Sequence, residues 1–156
     1  MFHTLNKRVL VTVISAFLSF GVAAVPNAKQ SLQFAIPNNP DSSHTAKKNV
    51  EFVVVPERHL MISSGCVKSR APGKIVFDCA AYRALRIAST IQLQQAHYAG
   101  GHPGAAICRN PLGGEFVIGI ENTPERDENG FCRFKDGSIV DVGTIFRYAL
   151  DHLTPE

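Results

Sequence analysis

Four cysteines and six histidines are the side chains of this 156-residue chain best suited to covalent or metal chemistry. The cysteines are Cys66, Cys79, Cys108 and Cys132. No pair shows the C-x-x-C spacing of zinc ribbons and fingers, which argues against a zinc site. A thiol nucleophile paired with His97 or His102 would make an enzyme. An even cysteine count opposes this, because a catalytic thiol would leave another cysteine unpaired. His44, His59 and His152 read as exposed. Ser63, Ser64 and Ser138 lack the strand–turn–helix setting of a serine nucleophile. The acidic stretch with Glu121, Glu125, Asp127 and Glu128 does not follow the ligand spacing of an EF-hand and has Arg126 in its midst, so it reads as a solvated loop. Asp136-Gly137-Ser138 is a tight turn whose polar tip is a candidate ligand contact, although a purely structural turn accounts for the same three residues. Nothing here implies a cofactor.

The compartment follows from the first residues and agrees with the even cysteine count. Residues 1–24 carry Lys7 and Arg8, an apolar core from Val9 to Phe20 and the small-residue end Val22-Ala23-Ala24, the three parts of a secretory signal. The core is shorter than the span of about 20 residues that a transmembrane helix needs. No cysteine directly follows the cleavage site, the first being Cys66, so no lipid-modified terminus is expected. Export to the periplasm or medium places the four cysteines where disulfides form. Without Lys7 and Arg8 the net charge falls from +3 to +1, and a nucleic-acid partner loses its electrostatic basis. The remaining charge is uneven. Residues 44–114 are mostly basic and 115–156 mostly acidic, which suggests packing or self-association between the halves.

These residues must be positioned by a small set of elements. Residues 25–49 are polar and rich in Pro, Asn and Ser and read as a flexible lead-in. In 50–101, the β-branched run Val50–Val55 predicts a strand closed by Pro56. Two more strands are expected at His59–Ser63 and Lys74–Asp78, joined by a loop containing Pro72-Gly73. Cys66 and Cys79 lie symmetrically about that Pro-Gly bond, so a hairpin turning there brings them within disulfide reach. From Ala80 the spacing of Ala80, Ala84, Ile87, Ile91 and Tyr98 predicts a helix, with Asp78 as N-cap and Gly100-Gly101 as its stop. In 102–156, His102-Pro103 opens a short helix carrying Cys108, with Pro at its first position and His102 in the N-cap role. Strands follow at Phe116–Ile120 and Gly130–Lys135. The Asp136-Gly137-Ser138 turn returns the chain through Ile139-Val140. Asp141 then caps a last helix with Ile145, Phe146, Ala149 and Leu150 on its buried face.

The order HPGAAIC, Gly-Gly, NGFCRF, DGS and an Asp-started segment ending in Phe-Arg resembles the small bacterial domain of unknown function 333, a family that carries a hemolysin label. The likeness covers residues 102–147, about a third of the chain. His102 stands where that family usually has Asn, and Gly143 where it usually has Trp. The family's layout implies a Cys108–Cys132 disulfide, one of three pairings open to four cysteines. It implies a module and a compartment rather than a reaction.

The expected fold class is α+β. It is a small disulfide-tied domain with a β-rich N-terminal half containing one helix, followed by a helix–β-hairpin–helix unit. The expected function is a non-catalytic exported binding module for an envelope or secreted protein partner, without nucleic acid and without stable membrane insertion of the mature chain. A secreted Cys/His enzyme and a membrane-active, hemolysin-like factor are the alternatives. Cleavage after Ala24 predicts that N-terminal sequencing of protein recovered from the periplasm or medium begins at Val25; full-length chain in washed membranes would refute the signal.

Overall fold

The computed structural model describes residues 30–38, 46–71, 74–94 and 101–155. The expected signal peptide lies outside them, as do the Pro72-Gly73 turn, His44 and His97. Strands β1 (Gln30–Pro37), β2 (Lys47–Val55), β3 (Leu60–Ser63), β6 (Glu115–Glu121), β7 (Glu128–Arg133) and β8 (Ile139–Asp141) form a closed barrel in the order β1-β2-β3-β8-β7-β6. Every neighbouring pair is antiparallel. A separate two-stranded arm consists of β4 (Val67–Ala71) and β5 (Lys74–Phe77). Helices α1 (Ala80–Ala88), α2 (Pro103–Arg109) and α3 (Val142–Leu150) complete the fold. The α+β class and the disulfide ties agree with the sequence reading; the closed barrel goes beyond it.

Two apolar clusters share the strands. Phe34, Ile36, Phe52, Val117, Phe131 and Ile139, with Leu32, Val50 and Met61 packed against them, all come from barrel strands and fill the interior. The rings of Phe34 and Phe52 meet edge-on at 5.6 Å, Phe34 meets Phe131 at 4.9 Å, and Phe52 stacks on Phe131 at 4.6 Å. Burying each ring stabilises by about 1.5–3 kcal/mol, with about 0.5–1.5 kcal/mol more for each well-placed aromatic pair. Gly119 makes room for them, since a Cβ there would lie 2.7 Å from the Phe131 ring. Alternate residues of the same strands point outward. Val53, Val55, Leu60, Ile62, Cys132 and Val140 pack against Tyr82, Leu85, Ile107, Ile145 and Tyr148 of the three helices. Phe52 to Val55 therefore reads as an unbroken apolar run because that strand is covered on both faces.

Several elements differ from the sequence reading. Residues 30–37 and 47–49, expected to be a flexible lead-in, are strands paired along their whole length from Gln30↔Val54 to Pro37↔Lys47. The signal was the alternation Leu32, Phe34, Ile36 against Ser31 and Gln33, masked by polar flanks. The partner of β5 is β4 rather than residues 59–63, which join the barrel as β3. The polar content of VKSRA concealed a strand that is exposed along most of its length. A bulge between Val67 and Ser69 shifts the arm's register, and the Asp78 N–H bonds the Cys66 carbonyl at 2.9 Å. The ends of the arm are still brought together: Cys66 and Cys79 form a disulfide with Cα atoms 5.1 Å apart. Helix α1 stops at Ala88, because the hydroxyls of Ser89 and Thr90 bond the carbonyls of Arg86 and Ile87 and compete with another turn. Its buried face is Ala81, Tyr82, Ala84, Leu85 and Ala88, while Ile87 is 52% exposed. On α3 the buried residues are Val142, Thr144, Ile145, Tyr148 and Ala149, and Leu150 faces solvent.

The C-terminal caps stand where the sequence puts them. His102 Nδ1 accepts from the Gly104 N–H at 3.1 Å with Pro103 at the first helical position. Asp141 accepts from the Thr144 N–H at 2.7 Å. Burial pushes the Asp141 carboxyl above its ordinary range, against hydrogen bonds from Thr144 and Asn129 and the neighbouring His102, which pull it down. Helix α2 lies directly on the start of α3, where a Cβ on Gly104 would fall 1.9 Å from the Val142 carbonyl oxygen. Cys108–Cys132 ties α2 to β7, with Cα atoms 5.6 Å apart.

Two seams of the barrel have short ladders. Strands β3 and β8 share the single bridge Ile62↔Val140. Beside it the Met61 N–H donates to Thr144 Oγ1 and the Ile139 N–H to Ser63 Oγ, both at 3.0 Å. Strands β1 and β6 pair at Phe34↔Glu121 and Ala35↔Ile120. There Arg133 donates to the Pro37 carbonyl at 2.8 Å while its guanidinium pairs with Glu115 at 2.6 Å. Replacing Thr144 by Val should therefore strand the Met61 N–H and cost about 1–3 kcal/mol. Thr144→Ser should stay close to wild type in the same urea titration, and equal losses in both variants would refute the seam's dependence on the hydroxyl.

Candidate functional site

Among the described residues, a concave feature of the surface is built around the base of the β4–β5 arm. A cleft of about 510 Å³ is lined by the first half of β2 (Lys48–Glu51), by Ser63, Ser64 and Gly65, by Asp78, Cys79 and Arg83 at the start of α1, and by the Asp136-Gly137-Ser138 turn. Four separate stretches of chain thus converge on one depression. Two of the candidates read from the sequence meet here, the Cys66–Cys79 disulfide through Cys79 and the polar turn through all three of its residues. The Cys108–Cys132 disulfide does not line it.

The turn has a second task that the sequence did not reveal. Asp136 Oδ2 accepts from the Ala80 N–H at 2.7 Å, and Ser138 Oγ accepts from the Ala81 N–H at 2.9 Å. Cys79 Sγ accepts from the Tyr82 N–H at 3.3 Å. The first three free N–H groups of α1 are satisfied by a sulfur at the N-cap and by two side chains from more than 50 residues away. Asp78, expected to cap the helix, points to cations instead, meeting Arg83 at 2.8 Å and Lys68 at 3.3 Å. The other carboxylate oxygen of Asp136 accepts from the Ser138 N–H and hydroxyl. Burial alone would raise the Asp136 carboxyl, but these hydrogen bonds and the nearby Arg83 outweigh it and hold the group below its ordinary value of 3.8.

The remaining lining groups are of mixed sign, with Lys48 and Arg83 among Glu51, Asp78 and Asp136. Such a surface both donates and accepts hydrogen bonds. All four cysteines are in disulfides, His102 is engaged as an N-cap of α2, and Ser63 and Ser138 spend their oxygens on backbone N–H groups. Among the described residues, no group of three His, Cys, Asp or Glu side chains gathers as a metal site would require, and no helix is long and apolar enough to cross a membrane. The ion pairs Lys68–Asp78, Arg83–Asp78, Arg133–Glu115 and Arg147–Asp151 each join residues of the same half of the chain. Between the basic and acidic halves, Asp136 accepts from the Ala80 N–H and lies near Arg83, beside the uncharged contacts of the β3–β8 seam and the Cys108–Cys132 disulfide. Lys48, Asn49, Glu51 and Arg83 were not legible as site residues. Their convergence depends on barrel closure, and nothing in their local spacing announces it.

A carboxylate whose folded pKa lies below its unfolded value adds stability above that value and loses it as pH falls through the folded pKa. Asp136→Ala should therefore cost about 1 kcal/mol at neutral pH, the usual worth of a helix cap. In urea titrations at stepped pH, the gap between wild type and variant should narrow below pH 3.8. A gap that does not change with pH would show that the carboxylate's charge plays no part in the cap.

Comparison of the chain with models of protein families, with curated proteins and with solved structures finds no match.

Proposed function

We propose that this protein is an exported, non-catalytic binding module, and that the cleft beside the Cys66–Cys79 disulfide is its contact surface for a polar segment of an envelope or secreted partner. The observation that carries the reading is the cleft itself. Its volume of about 510 Å³ lies in the range typical of ligand sites, roughly 300–1,000 Å³. Its walls are preorganised by a disulfide and by the helix cap of α1, which lowers the ordering cost of binding. The mixed lining of Lys48, Glu51, Asp78 and Arg83 suits a polar partner with both donors and acceptors. Two disulfides are in keeping with an oxidising compartment, and the signal-like residues 1–24 supply the route. The resemblance of residues 102–147 to the domain of unknown function 333 supports the same picture of a small exported module.

The test is a pull-down from an envelope extract with three forms of the mature protein: wild type, Lys48→Glu with Glu51→Lys, and Glu125→Lys. Lys48 and Glu51 are exposed cleft residues, and Glu125 is exposed on the connection between β6 and β7. Wild type and Glu125→Lys should retain the same partner, with recovery at least tenfold lower for the cleft variant. A partner held equally by all three would move the contact surface elsewhere.

A further inference from the structure

The two disulfides occupy different chemical settings, and the difference points beyond binding. Cys79 lines the open cleft, and its sulfur accepts the Tyr82 N–H at 3.3 Å. Its partner's sulfur, Cys66 Sγ, lies 3.6 Å from Ser63 Oγ. That oxygen already accepts from the Ile139 N–H at 3.0 Å, and a disulfide sulfur carries no proton, so the Ser63 hydroxyl is the donor to Cys66. Each sulfur of this pair thus has a hydrogen-bond donor in place. Cys79 is 8% exposed, whereas Cys66, Cys108 and Cys132 are each 0% exposed, so the difference in access between the two pairs lies at Cys79 alone. Gly114 packs so closely over Cys132 that a Cβ there would lie 2.3 Å from its sulfur.

We propose that Cys66–Cys79 is a thiol–disulfide exchange site, reduced by a dithiol that enters through the cleft, while Cys108–Cys132 remains closed. A hydrogen bond to a thiolate is stronger than one to a neutral sulfur because the acceptor is charged. The Tyr82 N–H and the Ser63 hydroxyl therefore favour the reduced form over the oxidised one, and a pair whose reduced form is stabilised is the stronger oxidant. Loop size acts in the same direction. Cys66 and Cys79 are 13 residues apart and bridge the ends of an arm already held by its own ladder, whereas Cys108 and Cys132 are 24 apart and join α2 to β7. By linkage, the disulfide that contributes less to the fold is also the one the fold protects less.

The exchange balances as two displacements. A thiolate of the incoming dithiol attacks Cys79 Sγ, the S–S bond breaks, and its electron pair leaves with Cys66 as a thiolate beneath the Ser63 hydroxyl. The second thiol of the partner, deprotonated, then attacks the partner's own sulfur in the mixed disulfide. Cys79 is released as a thiolate facing the Tyr82 N–H, and the partner departs as a disulfide. Two electrons pass from partner to protein, and the two protons from the partner's thiols end on Cys66 and Cys79 or in solvent according to pH.

Equilibration of the mature protein in glutathione buffers of stepped thiol-to-disulfide ratio, followed by alkylation and peptide mass spectrometry, tests this directly. Cys66–Cys79 should open at a ratio at least tenfold less reducing than Cys108–Cys132. Opening of both together, or of Cys108–Cys132 first, overturns the proposal. Ser63→Ala should make Cys66–Cys79 several-fold harder to reduce, with Ser63→Thr close to wild type. Mere loss of stability would have the opposite sign, because a weaker fold guards its disulfides less. Easier opening in Ser63→Ala would therefore refute the role given to that hydroxyl.

Discussion

Closing six short strands around three phenylalanines is the constraint on which the rest of this structure depends. Phe34, Phe52 and Phe131 come from three different strands, and their rings touch only if β1, β2 and β7 curve around a common axis. Closure removes the exposed edges that an open sheet would present. It also creates the two seams with too few backbone rungs, β3 against β8 and β1 against β6. Side chains complete them. Ser63 and Thr144 accept backbone N–H groups at one seam, and Arg133 spans the other from Glu115 to the Pro37 carbonyl. A buried N–H without a partner costs about as much as a whole cap or more, which explains why small hydroxyl residues sit at positions where an apolar residue would pack as well.

The same economy of polar groups shapes the helices. With short helices, the unsatisfied N–H groups of the first turn are a large share of all backbone donors, so capping decides whether the helix forms. Helices α2 and α3 are capped by the residue just before them, His102 and Asp141. Helix α1 takes its cap partly from the turn at Asp136-Gly137-Ser138, which binds the middle of the chain to its end. That long-range cap and the Cys66–Cys79 disulfide form adjoining walls of one cleft. The groups that hold the helix start in place are thus the groups that a bound partner would meet.

The outer layer explains the placement of the second disulfide. The helices cover only the strands whose outward residues are apolar, and Cys132 lies among those with Val140, Leu60 and Ile62. Cys108 on α2 reaches it from above, so the bond fastens helix to barrel through the middle of the larger core. The arm of β4 and β5 has no such layer over most of its length. It packs inward mainly through Phe77, Val67 and Ile75, and its disulfide closes the base.

What the sequence determined by itself was local. His102-Pro103 and Asp141 announce helix starts because a cap and its N–H are at most three residues apart. The Cys66–Cys79 pair was legible because a hairpin turning at Pro72-Gly73 brings equally spaced residues together, and one bulge did not undo that. The β-branched run at Val50–Val55 and the turn at Asp136 were likewise legible because their signals are local. The hairpin of β7 and β8 was legible from its turn, but tertiary structure alone decided which of the other strands are neighbours, and with it the barrel. β1 hid in a polar stretch because its three inward residues matter only once Phe52 and Phe131 stand opposite them. Asp136 replaced Asp78 as a cap of α1 because barrel closure carries the turn to the helix start, an event 56 residues removed in sequence. The buried faces of α1 and α3 were set by where the barrel's outer apolar residues lie, and a periodic pattern on an isolated helix does not specify that direction. The cleft belongs to this second class entirely. Its residues come from four segments, and only the packed core brings them to one place.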